Sequence, residues 1–405
     1  MIGVSRPHGG PLAGLPVLED LPDVAGRRVL VRVDFNVPLA HGPGGPADVV
    51  VDDDFRIRAA LPTLTWLRDR GAEVTACSHL GRPKGTVDPR YGMAPVRARL
   101  AELAPGVALL ENLRFDPGEE ANDPAFVDRL VDGFEAYVND AFGASHRSHA
   151  SVVGPPAHLP SAAGRLLARE VEVLGGLLDD PARPFVAVVG GAKVADKLGV
   201  LQALLDKVDQ LLVGGGMAFT FLAAQGHDVG ASLLDAGSVG RCGAVLAEGG
   251  DRILLPTDLV ALAPGGTIGG GAPGEGEVRM LGTDLPRGWR GLDIGPETAG
   301  TYADVVRSAG TVFWNGPMGV FEDDRFAAGT HTVATAVAEG RGFSVVGGGD
   351  SVAALDHLGL EDRIGWVSTG GGASLELLEH GDLPGLAALR RASNAAAVAR
   401  RAGSA

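Results

Sequence analysis

The chain has 405 residues, including 62 Gly and 26 Pro, with 45% hydrophobic and only 5% aromatic side chains. That length exceeds what one compact core usually holds, so two domains are expected, and the composition suits an α/β protein with many tight strand-to-helix turns. A formal net charge of −15 excludes nucleic acid or an anionic membrane as a general partner, while leaving room for a small anionic ligand wherever basic side chains are gathered locally. Two cysteines, Cys77 and Cys242, are too few for a disulfide framework and read as packing residues in a reducing compartment. The first 25 residues carry Pro7, Pro11, Pro16 and Pro22 among acids and lack the apolar core of a signal peptide. No later apolar run approaches the roughly 18 residues needed to span a bilayer. A cytoplasmic location is expected.

In chain order, Val29 to Val33 reads as a strand that places Asp34 and Asn36 at its carboxyl end, the edge where open α/β sheets put their ligands. His41 to Pro46 is a Gly/Pro loop with a mobile tip. After the acids Asp52 to Asp54, a helix is predicted from Phe55 to Arg70, burying Ile57, Leu61, Leu64 and Leu67 despite Pro62. Arg56, in its first turn, opposes the helix dipole, which points to an anionic partner rather than to helix stability. Further strands are predicted at Glu73 to Ser78, Val107 to Leu110 and Ala136 to Val138. They end in His79-Leu-Gly-Arg-Pro-Lys-Gly85, Glu111-Asn-Leu-Arg-Phe115 and the run from Asn139 to His149. Arg32, Arg56, His79, Arg82, Arg114, His146 and Arg147 are thus expected at the carboxyl edge of one sheet. Any one of them alone is an ordinary surface charge. Together they describe a pocket for an acid carrying phosphate, since the arginine fork fits such oxyanions. His79, His146 and His149 also invite a zinc reading, a weak one because no cysteine lies in a ligand spacing.

The helix predicted from Ala163 to Leu178, stopped by the break Asp179 to Pro184, reads as a connector. It divides the chain into a first domain of residues 1–162, a connecting helix and hinge of 163–184, and a second domain of 185–405 whose tail is a candidate to return to the first. Phe185 to Val189 reads as a buried strand passing through Gly190 and Gly191 into a helix with Lys193 and Lys197 on one face, beside N–H groups that favour a polyphosphate. On this stretch alone, a strand-to-helix corner with two solvated lysines is the alternative. Gln210 to Val213 ends in Gly214-Gly-Gly-Met217, where backbone can approach a flat ring or a phosphate. Neither common nucleotide motif is satisfied: Phe219 stands where G-x-G-x-x-G needs its third glycine, and Gly190 to Lys197 lacks the Gly-Lys-Ser/Thr of a P-loop. Val312 to Glu322, Phe343 to Ser351 and Trp366 to Ser374 each join a short strand to a glycine turn. The second delivers Asp350 to a helix start, where it suits an N-cap and a magnesium ligand equally. Pro264 to Gly276 reads as a Gly-rich surface loop.

Seven segments in order carry a family likeness: Arg32-Val-Asp-Phe-Asn-Val-Pro38, Ser78-His-Leu-Gly-Arg-Pro83, Glu111-Asn-Leu-Arg-Phe115, Asn139-Asp-Ala-Phe-Gly143, Gly190-Gly-Ala-Lys-Val194, Gly347-Gly-Gly-Asp350 and Ser368-Thr-Gly-Gly-Gly-Ala-Ser374. From about Val24 to Gly385 the chain resembles phosphoglycerate kinase. The resemblance implies two Rossmann-like three-layer α/β/α domains with mostly parallel sheets, facing across a hinged cleft. It implies a monomeric glycolytic and gluconeogenic enzyme moving a phosphoryl group reversibly between 1,3-bisphosphoglycerate and ADP, giving 3-phosphoglycerate and ATP. Carried over by position, Arg32, Asp34, Asn36, Arg56, His79, Arg82, Arg114, His146 and Arg147 would hold the glycerate ligand. Lys197, Gly214, Gly215, Gly295, Asn315, Glu322, Gly348, Gly349, Asp350 and Ser351 would hold the nucleotide. Arg56, Lys193 and Lys197 would serve catalysis, and Asp350 the Mg²⁺ that accompanies ATP or ADP. Closure of the two domains would join the ligands and exclude water.

Two other readings compete. An NAD-dependent dehydrogenase of similar α/β architecture lacks its third glycine here, and a non-catalytic sugar-phosphate-binding protein would not need the lysines and Asp350 alongside the arginine pocket. The chain departs from the family pattern at Ser351, where Thr is usual, and at Glu297, where Lys is common. The N-terminal extension to about Asp23, the His41 to Pro46 and 264–276 loops, and the Arg-rich tail after Leu389 lie outside what the likeness explains.

Overall fold

The protein is represented by a computed structural model that describes residues 13–42, 49–269 and 274–402, with side chains through residue 395. The tip of the His41 to Pro46 loop, the middle of the 264–276 loop and most of the N-terminal extension lie outside the described residues. Two compact units emerge, one of Met1–Gly175 with His380–Ala405 and the other of Gly176–Glu379.

The first unit carries strands β1 (Arg28–Arg32), β2 (Leu39–His41), β3 (Val49–Val51), β4 (Glu73–Cys77), β5 (Ala108–Leu109), β6 (Ala136–Asn139) and β7 (Ser161–Ala163). β2 and β3 form a small antiparallel pair. The others make a parallel sheet in the order β5-β4-β1-β6-β7. Helices α1 (Phe55–Arg68), α2 (Ala94–Leu103), α3 (Pro117–Ala121), α4 (Pro124–Val131) and α5 (Ala150–Val153) connect them. Because side chains alternate along a strand, β1 feeds two separate apolar layers. Val29, Val31 and Val33 pack with Ile57, Leu64 and Leu67 of α1 and with Val96 and Leu100 of α2. Leu30 packs on the other face with Tyr137, Cys77 and Phe126, Val127 and Leu130 of α4. Both faces of the sheet are therefore covered, the condition that makes a parallel sheet stable. Leu15 and Leu18 of the N-terminal extension are buried, and Val17 bridges to Ala163 beside β7.

The connector helix α6 (Arg165–Asp179) matches its expected span, and the division between the two units falls inside it. The second unit has β8 (Phe185–Val189), β9 (Gln210–Val213), β10 (Ile253–Leu254), β11 (Asp258–Leu262), β12 (Val278–Gly282), β13 (Arg290–Ile294), β14 (Thr311–Asn315), β15 (Phe343–Gly347) and β16 (Trp366–Val367). Six of these form a parallel sheet in the order β10-β9-β8-β14-β15-β16, and β12-β11-β13 form a separate antiparallel sheet that the sequence reading did not anticipate. Its helices are α7 (Leu198–Leu205), α8 (Ala218–Ala224), α9 (Val239–Gly249), α10 (Pro296–Ser308), α11 (Ala328–Glu339), α12 (Gly349–Leu358) and α13 (Gly371–His380). The last helix, α14 (Pro384–Ala402), belongs to the first unit. There Leu383, Leu386 and Leu389 are buried and the Gly385 N–H donates to the Ser145 carbonyl at 2.9 Å.

Strand order fixes where ligands can enter each unit. In the first, successive strands lead away from β1 on one side and from β6 on the other. In the second they lead away from β8 and β14. These topological switch points leave a crevice at the carboxyl ends of the strands.

Candidate active site

At the switch point of the first unit, Asp34 follows β1 and is buried, while the Arg56 side chain remains 32% exposed. Arg56 Nη1 donates to Asp34 Oδ2 at 2.9 Å, so the first-turn cation of α1 does meet a carboxylate. The second oxygen, Asp34 Oδ1, is buried without a hydrogen-bond partner and lies 3.8 Å from His79 Nδ1. Burial alone pushes the Asp34 carboxyl up. Arg56 and Arg32, with the Asn36 backbone N–H, outweigh it and leave the group below its ordinary value, hence ionised. Burial pushes His79 down to about 3, Asp34 opposing the shift and Arg32, Arg114 and Arg56 adding to it, so this imidazole is neutral near pH 7.

Asn36 and Arg114 are joined through the loop after β4: Gly81 N–H donates to Asn36 Oδ1 at 2.8 Å, and Arg114 Nη1 donates to the Gly81 carbonyl at 2.7 Å. Arg114 Nε also lies 3.1 Å from Glu120 Oε1, though not aligned as a hydrogen bond. Arg82 and Arg147 are exposed, and among the described residues neither guanidinium has a partner. His146 is half-buried on the turn after β6, next to Arg147.

Arg32 departs from the expectation of a ligand-facing arginine. It is fully buried. It shares the face of β1 that carries Leu30, the side covered by α3 to α5, and its guanidinium is consumed internally. Nε donates to Ser151 Oγ at 2.8 Å, Nη1 to the Val33 carbonyl, and Nη2 to His79 Nδ1 at 3.2 Å. Buried Glu119 lies 4.0 Å away and accepts from the Ser151 hydroxyl at 2.6 Å and the Ser151 N–H at 2.9 Å. Sequence reasoning passed over Glu119 and Ser151, since an acid in the first turn of a short helix looks like a solvated dipole partner.

At the switch point of the second unit, Lys197 Nζ donates to the Gly190 carbonyl at 2.7 Å and to Asn315 Oδ1 at 2.8 Å. Burial lowers its ammonium to about 8, with Asp350 opposing. The expected helix carrying Lys193 and Lys197 on one face does not form. Residues 191–197 run as bends and turns, the Lys197 N–H bonds the Val194 carbonyl at 2.9 Å, and α7 starts only at Leu198. Lys197 instead caps the helix and folds back over the strand end, while Lys193 is exposed on the turn. A side chain at Gly190 would lie 2.2 Å from the Pro317 carbonyl, which explains the glycine there.

Asn315, at the end of β14, also donates through Nδ2 to the Gly347 carbonyl at 2.9 Å and so bridges two strand ends. Gly348, with φ +98, is the N-cap of α12. Asp350 is therefore not the cap; it stands exposed in the first turn. Ser351 is buried, its Oγ accepting from the Gly316 N–H at 2.6 Å. Gly214 and Gly215 follow β9, with their N–H groups on the Val189 and Met318 carbonyls. Gly295 caps α10 and donates to the Asp258 carbonyl at 2.8 Å. Glu322 and Glu297 are exposed, Glu322 preceding a buried Asp323 that is paired with Arg325. Leu233, 55% exposed against Gly216, was not anticipated and adds an apolar wall beside the glycine triplet.

The sequence matches the family described as phosphoglycerate kinase over residues 18–108 and 103–381. The chain belongs to the phosphoglycerate kinase family. The phosphoglycerate kinase of Parafrankia sp. (strain EAN1pec) is 53% identical over 406 residues, spanning 92% of this chain and 99% of that one. That of Rubrobacter xylanophilus is 51% identical over 391 residues, spanning 91% and 96%. Among solved structures, phosphoglycerate kinase from Coxiella burnetii superposes with a TM-score of 0.81 at 36% identity, covering 93% of this chain and 99% of that one. Membership of this family makes the chain a kinase with two α/β units and does not favour the dehydrogenase reading. No helix among the described residues is long and apolar enough to cross a membrane.

Proposed function

We propose that this phosphoglycerate kinase family member transfers a phosphoryl group between 1,3-bisphosphoglycerate and ADP, the first unit holding the glycerate ligand and the second the nucleotide. The observation that carries the reading is Asp34 Oδ1, an ionised, buried and unpartnered oxygen set among Arg56, His79 and Arg32. Such an acceptor fits the hydroxyl of a small acid, and the exposed guanidinium groups of Arg82 and Arg147 fit its phosphate and carboxylate. Asn36, Arg114 and His146 complete the glycerate side. Arg32 enters this assignment only through the residues it holds.

On the nucleotide side, Gly214, Gly215 and Leu233 suit a flat base, while Gly295, Asn315 and Glu322 line the remainder. The start of α12 at Gly348, Gly349 and Asp350 offers N–H groups to phosphate, with Ser351 supporting that turn from below. Asp350 is the residue to hold Mg²⁺, which typically takes one or two carboxylates and completes its shell with phosphate oxygens and water. When bound, the ion neutralises charge on the transferring group.

The attacking oxygen is a carboxylate in one direction and an ADP phosphate in the other, so no general base is required. His79, neutral and nearly enclosed, orients rather than deprotonates. Arg56 and Lys197 neutralise the equatorial oxygens, and exposed Lys193 adds to the field. Because one phosphoryl group must meet both ligands, turnover calls for hinge bending at the connector. Free, buried thiols at Cys77 and Cys242 accord with a reducing, cytoplasmic compartment, and the family likeness favours a monomer. The test supplies ATP and 3-phosphoglycerate and follows acyl phosphate through a dehydrogenase consuming NADH. Turnover by the purified chain is expected, and folded protein without turnover overturns the reading.

A further inference from the structure

One buried network behind the glycerate side has no assigned task. It runs from Glu119 through Ser151 to Arg32, then to His79 and Asp34. Glu119 and Arg32 are both fully buried, and the Ser151 hydroxyl donates to Glu119 at 2.6 Å while accepting from Arg32 Nε at 2.8 Å. That leaves Arg32 Nη2 fixed 3.2 Å from His79 Nδ1. A guanidinium can only donate, so Nδ1 must accept, and the proton of the neutral ring must sit on Nε2. The consequence falls on Asp34. Its Oδ1 lies 3.8 Å from the same Nδ1, and a ring proton there would pair with that oxygen after a small approach. With the proton on Nε2, two acceptors face each other and Asp34 Oδ1 stays unpartnered.

We propose that Arg32, held by Glu119 and Ser151, locks the tautomer of His79 and thereby keeps Asp34 Oδ1 open for the substrate hydroxyl. The lock rests on the reading of Asp34 given above. Arg32, Glu119 and Ser151 are thus positioning residues, acting through His79 and Asp34 without touching substrate. This also accounts for a buried ion pair at that place, since an apolar pair of the same volume packs as well but donates nothing to Nδ1.

The experiment uses the full chain labelled with ¹⁵N-histidine, without ligand, and reads the imidazole nitrogens by two-bond ¹H–¹⁵N correlation. His79 is assigned by the signals lost in His79→Gln. Wild-type His79 is expected as the Nε2–H form, and an Nδ1–H form overturns the lock directly, with no variant needed. In Arg32→Met/Glu119→Gln, where neither charge is left buried alone, His79 is expected to move to Nδ1–H. KM for 3-phosphoglycerate should then rise about tenfold with KM for ATP unchanged, a split that general loosening of the fold does not produce. Retention of Nε2–H and a wild-type KM in that variant overturns the lock. Should it fail to fold, Ser151→Ala leaves both charges in place and is expected to shift the tautomer and the same KM in the same direction; no shift in either overturns the lock. Absence of wild-type turnover would remove the functional reading alone, because the tautomer is measured without substrate.

Discussion

The two candidate sites are built by opposite means. In the first unit, side chains supply the polar groups. Arg56 holds Asp34, the hidden Arg32 holds His79, Arg114 holds the Gly81 turn, and Arg82 and Arg147 remain open to solvent. In the second unit, the recognition surface is mostly backbone: glycines after β8, β9, β13 and β15, with Lys197 and Asn315 as the main polar side chains between them. The difference follows from the ligands proposed for each. A small acid offers few atoms, so it must be met by several directed charges, whereas a nucleotide offers a ring and a chain of phosphates to which helix N-termini and bare backbone are already suited.

Removing the central cation of each half is the strongest way to break this contrast. Arg56→Ala and Lys197→Ala should each lower kcat by roughly 10²–10³-fold, as loss of one electrostatic stabiliser typically does. Steady-state rates near wild type in either would remove that residue from catalysis. The Arg56 variant should also raise KM for 3-phosphoglycerate, and the Lys197 variant KM for the nucleotide.

Next in size is Gly348→Ala. Its φ of +98 disfavours any side chain, and the added methyl would sit 2.9 Å from Asn315 Nδ2, the residue that holds Lys197. A stability loss of about 1–2 kcal/mol in urea melts is expected, with a raised KM for ATP and an unchanged KM for 3-phosphoglycerate. Equal effects on both substrates would blur the division between backbone-built and side-chain-built halves.

A smaller effect concerns pH. Lys197 binds its proton below about 8 and loses it above. The positive charge is therefore present at neutral pH, and kcat/KM for ATP in the free enzyme should decline as pH rises past that value. Lys197→Arg stays charged and should abolish the decline, at a lower absolute rate. A profile flat to pH 9.5 or so in the wild type would count against a buried, functional ammonium.

The smallest expected change is Ser351→Thr, which restores the residue usual in the family. Its hydroxyl already serves Gly316 from a fully buried position and is retained, so kinetic constants should change by less than about twofold. A large loss would show that the second half also depends on close side-chain fit.

Strand ends were the most legible features in the sequence. Phe185–Val189 and Gln210–Val213 appear with the residues expected, because short apolar runs bounded by glycine leave little choice. The helix of Phe55–Arg68 was legible from its apolar spacing in spite of Pro62. What escaped was decided by tertiary contacts. Lys197 lies outside its helix because its ammonium reaches back to Gly190 and Asn315, partners that spacing cannot reveal. Arg32 was read as a ligand-facing arginine at the sheet's carboxyl edge, yet both faces of that sheet are covered, and Glu119 and Ser151, 87 and 119 residues further on, help make its burial tolerable. The antiparallel strands Asp258–Leu262, Val278–Gly282 and Arg290–Ile294 were missed because turn-rich, partly exposed segments carry little periodicity.

The return of α14 has a consequence for how the chain is made. Leu383, Leu386 and Leu389 pack into the first unit, with Gly385 tied to Ser145. The unit whose residues leave the ribosome first is therefore the last to be completed, since its final helix is synthesised only after the whole of Gly176–Glu379. Domains generally fold as units in the order of their synthesis. Here the order of completion is inverted: every residue of the second unit is synthesised before the helix that completes the first.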